Sequence, residues 1–399
     1  MSVRVLPTTP ADWKLESKSL VCKSIHEYGL ACSGSGITRE QFILLRTLWV
    51  KRSKYQLYGS DRSNWMDNSS FKAAQAFLSS STIAPTWKQF LKSTGMHPSD
   101  LEQQGYDGLH TFSLVRYHQA QSQGLSSEEN NSAKVDMSPI AKRTRNRLKQ
   151  RIAAQSSPTP GPKLTGLEQD LGVLDITDPP PSQPPTTPDR GGSNVLPMTA
   201  TPTPGDFSSP FEDPGIFKAI QDEQIVNTAL IEYLNALAIH CKDLKANWTL
   251  HRLPLVTRDN QREKIYEARV DGYLRRRRDG KPLAVIEVKP FTRTRKPDDI
   301  RMQESAQMAA WINQYQPSNT DLEGNIKRLL ISQDRHQIYL NFAVFDADYV
   351  DYICDKQGIN YDKNSFLWMY EYGPFDVGNQ SDMSMLGELV LGYTLGESR

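Results

Sequence analysis

The chain has 399 residues, 47 lysines and arginines against 46 aspartates and glutamates, and a pI near 7.7. That length holds two ordinary domains or one with large insertions, either able to bury a real core, and a formal net charge of +1 excludes the global basic field of a nucleic-acid coat. Four scattered cysteines, Cys22, Cys32, Cys241 and Cys354, exclude a disulfide framework and fit a reduced intracellular protein.

At the start, "MSVRVLPTTPADWKLESK" has no apolar signal segment, and the longest oily run, "FILLRTLWV", is broken by Arg46. The expectation is a protein of the nucleus or cytoplasm, not secreted, with no membrane partner. Cys22, His26 and Cys32 lack a fourth ligand at a familiar zinc spacing, so free thiols near a core are the simpler account. Thr38 and Gln41 form a capping box ahead of "FILLRTLWVKR", which reads as one helix. Two more helices follow in "SFKAAQAFLSS" and in "PTWKQFLKSTG", the latter stopped by Gly95. Trp49, Trp65, Trp87 and Phe90 are core candidates, and residues 1–120 read as a small helical module with no function written in it.

From 121 to 212 the composition changes to "SQGLSSEENNS", "SSPTPGPKLTG" and "DPPPSQPPTTPDRGGS". Fourteen of the 25 prolines lie between Pro158 and Pro214 with few aromatic or β-branched residues, so burial cannot offset the ordering entropy and a disordered linker is expected. Seven Ser-Pro or Thr-Pro pairs, from Ser138-Pro139 to Ser209-Pro210, permit proline-directed phosphorylation, although simple composition explains most of them. The segment 142–151, within "AKRTRNRLKQR", reads as a ligand for a nuclear-import receptor or a phosphate-binding tether, with solvated charge as the alternative.

Residues 213–399 carry the clearest pattern. Pro214 and an acidic first turn precede the long helix "FKAIQDEQIVNTALIEYLNALAIH", with Ile220, Leu230, Leu234 and Leu237 as core candidates. Three strands, "NWTLHRLPLV", "KIYEARVDGYL" and "KPLAVIEVKPF", lead to the helix "DDIRMQESAQMAAWINQY" and then to "IKRLLIS", "HQIYLNFAVF" and "SFLWMYEYGPFDV". This order predicts an α/β fold with a mixed sheet: hairpin-linked strands first, then a helical crossover returning a parallel strand.

The strand "LAVIEVKPF" contains the chemistry. Alternation puts Ile286 and Val288 on one face and Val285, Glu287 and Lys289 on the other, and burying either charge unpaired costs several kcal/mol. An E-x-K triplet alone means little, since Glu16-Ser17-Lys18 is another in a polar segment. The preceding strand supplies Asp271. If Arg278, Asp279 and Gly280 form a three-residue loop, Arg277 pairs with Lys281 and Asp271 lies opposite Glu287. A two-residue Asp279-Gly280 turn would instead place Asp271 against Val288, on the wrong face. Two facing carboxylates are relieved by a shared proton or a divalent cation, and hard oxygen donors suit Mg²⁺ or Mn²⁺. Lys289 would then aid a bound water or hold developing negative charge. A plain internal ion cluster of the three residues is the other reading.

Asp271, fifteen intervening residues and then Glu287-Val288-Lys289, between two helices, resembles the PD-(D/E)XK nuclease superfamily with its restriction-endonuclease-like αβββαβ core. The segments "DEQIVNTALIEYLNALAIH", "WTLHR", "EARVDGYL", "VIEVKPF", "IRMQESAQMAAWI", "LLISQDRHQIYL" and "GPFD" resemble a fungal group of such proteins, across residues 213–399. The resemblance implies that Asp271 and Glu287 hold the metal with the Val288 carbonyl, and that Lys289 orients or activates the attacking water. It also places Glu223 in the site, with Asn227 one turn later and Asp222 as rival, and Gln303 and Gln307 along the second helix. Val270 stands where the family name has proline. Nucleic acid, as DNA or RNA, would pass Arg275, Arg276, Arg277 and Arg278, and also Arg293, Arg295 and Lys296, against the alternative of a solvated hairpin tip. The functional expectation is a metal-dependent nuclease. The alternatives are a catalytically inactive nuclear module of the same fold, or a scaffold controlled through its linker.

Overall fold

The computed structural model describes residues 5–28, 33–125, 214–242, 244–317, 324–356 and 365–398, with backbone alone for 214–221. The expected linker lies outside them from residue 126 onward, together with the basic segment 142–151, its Ser-Pro and Thr-Pro pairs, Cys32 and the side chain of Ile220. All described residues belong to one compact unit built from both ends of the chain. Among them no helix is long and apolar enough to cross a membrane.

The first part contains α1 (Pro10–Ser17), α2 (Arg39–Leu44), β1 (Thr47–Arg52), α3 (Lys54–Tyr58), α4 (Asn68–Leu78), α5 (Ala84–Thr94), α6 (Pro98–Gln104) and α7 (Ser113–Gly124). After residue 213 follow α8 (Pro214–Ala238), β2 (Ala246–Thr249), β3 (Leu253–Arg258), β4 (Lys264–Val270), β5 (Gly272–Arg276) and β6 (Pro282–Lys289). Then come α9 (Pro297–Gln314), β7 (Ile326–Asp334), β8 (Gln337–Phe345), α10 (Ala347–Ile353), β9 (Leu367–Asp376) and α11 (Gln380–Glu397). The expected α/β fold with a mixed sheet is present: seven strands in the order β1-β9-β8-β7-β6-β5-β2, beside a two-stranded ribbon β3-β4. As expected, α9 carries the chain from β6 to a parallel β7.

Four local expectations are corrected. The helix expected over "FILLRTLWVKR" ends at Leu44, although the Thr38–Gln41 capping box is present. Arg46 adopts φ 50, in the left-handed region that ends a helix, and Thr47–Arg52 then pairs in parallel with Leu367–Tyr372. Residues 5–28 and 33–125 therefore share the sheet and the core with the C-terminal part. The strand "NWTLHRLPLV" divides, because β2 stays in the main sheet against β5 while β3 leaves to pair with β4. Pro254, which cannot donate a ladder hydrogen bond, sits in that outer ribbon. "KIYEARVDGYL" divides as well, at Asp271, between the ribbon strand β4 and the main-sheet strand β5. The first turn of α8 carries no acidic side chain.

Helices cover both faces of the sheet. Ala284, Ile286 and Val288 of β6 pack with Leu230, Leu234 and Leu237 of α8 and with Leu386 and Leu389 of α11. Val285 packs on the opposite side with Ala306, Ala309 and Ala310 of α9. Each of Val285, Ile286 and Val288 is fully buried, worth about 1.5–3 kcal/mol apiece, which pins the register of β6 so that Glu287 and Lys289 fall on the α9 side. Trp49, Trp87 and Phe90 are core residues as expected. Trp65 is half-buried, stacked on Phe342 with centroids 4.6 Å apart and donating to the Tyr372 hydroxyl at 3.0 Å.

Candidate active site

Asp271 sits in the bend where the chain passes from the ribbon into the main sheet. Its backbone N–H donates to the Ile286 carbonyl at 2.9 Å, and the pairs Gly272–Ile286 and Tyr273–Val285 follow. This register brings Asp271 beside Glu287, as expected, but the hairpin reaches it by another route. Arg276, not Arg277, pairs with Lys281, leaving the four-residue loop 277–280 with Gly280 at φ 71. The register then shifts between Leu274 and Arg275, so that Leu283 is the extra residue restoring the expected pairing. Gly272 is required next to Asp271, since a Cβ there would lie 2.7 Å from the Thr249 carbonyl oxygen and 2.8 Å from Ile231 Cδ1.

The side chains converge. Asp271 Oδ2 accepts from the Val288 N–H at 3.1 Å. Both oxygens of Glu287 are engaged: Lys289 Nζ and Gln303 Nε2 donate to Oε1, and Gln307 Nε2 donates to Oε2. Gln307 also donates to the Arg269 carbonyl at 2.8 Å, which ties α9 to β4. Asn227 donates to the Asp271 carbonyl at 3.2 Å and so fixes α8 to the bend. Glu223, also on α8, meets the group through Arg252, whose Nη2 lies 3.1 Å from Glu223 Oε1 and 3.2 Å from Asp271 Oδ1. The rival Asp222 is buried and acts electrostatically on Arg335 instead. Ile286 O faces β5, so by strand alternation the Val288 carbonyl points the same way, beyond the end of the β5 pairing.

The electrostatics follow from three acids and two cations gathered in low dielectric. Burial first, then repulsion from Glu223, pushes Asp271 up to about 6 against the pull of Lys289 and Arg252. Burial likewise pushes Glu287 up to about 7, opposed by Lys289 and reinforced by Asp271. Glu223 is also raised, chiefly by burial. For Lys289 burial acts downward, yet Glu287, Glu223 and Asp271 outweigh it and hold the ammonium above its ordinary range. Among the described residues no group of three or more His, Cys, Asp and Glu side chains forms a metal-holding cluster.

The arginines expected to meet nucleic acid divide differently. Arg293 is buried and cannot: its guanidinium contacts Glu304, Asp334 at 2.6 Å and Glu371 at 2.7 Å, while Arg301 holds Glu371 from the other side at 2.8 Å. Its position after the motif looked solvent-facing because the partners come from three separate elements, α9, β7 and β9, 11, 41 and 78 residues on. Arg275, Arg276, Arg277 and Arg278 surround the hairpin tip, where Arg276 and Arg278 pair with Asp279. That tip lies at the other end of β5 and β6, about 20 Å from Asp271 at 3.3–3.4 Å per residue. Arg295 is exposed, and its field reaches Arg335, whose N–H donates to the Lys289 carbonyl at 2.8 Å. Sequence reasoning missed Arg252. Its only signal was the pairing of Leu253 with Val270, which carries Arg252 next to Asp271 and becomes readable only with the ribbon in hand.

Comparison with family models, with curated proteins and with solved structures returns no match.

Proposed function

We propose that this chain is a metal-dependent phosphodiesterase acting on DNA or RNA, built on a restriction-endonuclease-like αβββαβ plan. The order α8, β2, β5, β6, α9, β7, with β2, β5 and β6 antiparallel and α9 crossing to a parallel β7, supports that plan. The observation that carries the reading is the convergence of Asp271, from the bend before β5, with Glu287 and Lys289 of β6, all three buried. Their chemistry suits a divalent cation. Asp271 and Glu287 are hard oxygen donors, with the Val288 carbonyl beside them, and both carboxyls are driven upward by burial that a dication would offset. When bound, Mg²⁺ or Mn²⁺ would supply a more acidic water and screen the phosphate charge.

The chain's own groups divide the remaining work. Lys289, held beside Glu287 with its ammonium favoured by the surrounding carboxylates, suits a cation that orients the attacking water and steadies charge on the phosphate. Gln303 and Gln307 hold Glu287 in one orientation. The 399-residue chain should cleave a mixture of DNA and RNA only with Mg²⁺ or Mn²⁺ present, and Glu287→Ala and Lys289→Ala should each abolish cleavage. Equal activity in all three proteins would overturn the proposal.

A second reading has its own support: a nucleic-acid-binding or protein-binding module of the same fold without catalysis. Every oxygen of Glu287 already has a donor, and Arg252 occupies Asp271 Oδ1. Calorimetry showing tight binding while cleavage assays stay silent would favour it. Nuclear import through residues 142–151 belongs to either reading and is tested by deleting them from a fluorescent fusion.

A further inference from the structure

Arg252 stands where a positive charge is most needed. It occupies the link between β2 and β3, and the β3–β4 pairing of Leu253 with Val270 sets it beside Asp271. One guanidinium nitrogen, Nη2, reaches both Asp271 Oδ1 and Glu223 Oε1, at 3.2 and 3.1 Å. Its side chain is one-third exposed, whereas Lys289, the other cation here, is almost enclosed. Lys289 is held by Glu287, on the same strand, and cannot leave without stranding a buried charge. Arg252 is the more exchangeable of the two, because its side chain keeps contact with water and its neighbours Leu250 and His251 are exposed.

We infer that Arg252 is the resident cation of this site, exchanged for the divalent ion. The inference rests on the metal-dependent reading above and concerns its control. Three carboxylates, Glu223, Asp271 and Glu287, face two cations, which leaves one formal negative charge. A dication added while Arg252 stays would share Asp271 Oδ1 with a guanidinium and meet its repulsion. Exchange removes both conflicts and turns the guanidinium toward solvent, where an incoming phosphodiester supplies its next partner. Metal affinity is therefore set by competition: the ion binds as tightly as the carboxylates allow, less the free energy needed to release Arg252.

The test uses the full chain with Mn²⁺ as probe, free ion being read by electron paramagnetic resonance with no substrate present. Arg252→Ala should bind Mn²⁺ about tenfold more tightly or better than the wild type, since about 1.4 kcal/mol of relieved competition is tenfold. Arg252→Lys keeps the charge and should stay within about threefold of the wild type. Equal or weaker Mn²⁺ binding by Arg252→Ala, with the wild type binding measurably, overturns this inference and leaves the phosphodiesterase reading standing. No Mn²⁺ binding by the wild type or by Arg252→Ala overturns both.

Discussion

Replacing Asp271 by asparagine should stabilise the metal-free protein at pH 8 and not at pH 4. The Asp271 carboxyl, 8% exposed, is raised from its ordinary 3.8 to about 6, with burial the main cause and Glu223 the second. A carboxyl raised in the folded state favours folding below its unfolded value, and that advantage is lost as pH rises through the folded value. Between pH 4 and pH 6 the wild type should therefore lose about 3 kcal/mol through this group, at about 1.4 kcal/mol for each pH unit between 3.8 and 6. The amide of Asp271→Asn does not titrate. It keeps one acceptor for either the Val288 N–H or Arg252, not both, and that costs about 1 kcal/mol at any pH. The net expectation is a gain of about 2 kcal/mol at pH 8 and a loss of about 1 kcal/mol at pH 4. Thermal melts followed by circular dichroism with a chelator present would show the two curves crossing near pH 5, with about 2 °C per kcal/mol at this size. Parallel curves, with Asp271→Asn equally destabilised at both ends, would refute the claim that burial and Glu223 raise this carboxyl above its ordinary value.

Three further outcomes are expected. Arg293→Met should destabilise by about 3–5 kcal/mol in chemical denaturation, because it strands Glu304, Asp334 and Glu371 around a single remaining arginine, Arg301. Arg278→Ala, at the hairpin tip with a side chain 78% exposed, should stay within about 0.5 kcal/mol and leave nucleic-acid affinity unchanged in a titration. Gly272→Ala should cost about 1–3 kcal/mol, as its Cβ meets the Thr249 carbonyl and Ile231, and should weaken Mn²⁺ binding by displacing the bend that carries Asp271.

Much of the C-terminal fold was legible because its elements are long and regular. The 3.6-residue spacing of Leu230, Leu234 and Leu237 marked α8, and the alternation around Glu287 marked the face that β6 turns to α9. The closeness of Asp271 to Glu287 was also legible, although a four-residue loop and a bulge at Leu283 lead to it in place of the simpler turn. What escaped depends on distant partners. "FILLRTLWV" is apolar on both sides of Arg46, so its period decides nothing, and only pairing with Leu367–Tyr372 makes its second half a strand. Arg293 reads as a surface charge until three carboxylates close around it. Arg252 gains meaning only from a ribbon that leaves the main sheet, and no local signal announces that departure.

Anomalous scattering from crystals of the full chain grown with Mn²⁺ tests the central assignment most directly. A peak within coordination distance of both Asp271 and Glu287, lost in Glu287→Ala crystals, is the predicted result. A map with no peak there at millimolar Mn²⁺, while Arg252 keeps its contacts with Asp271 and Glu223, would contradict it.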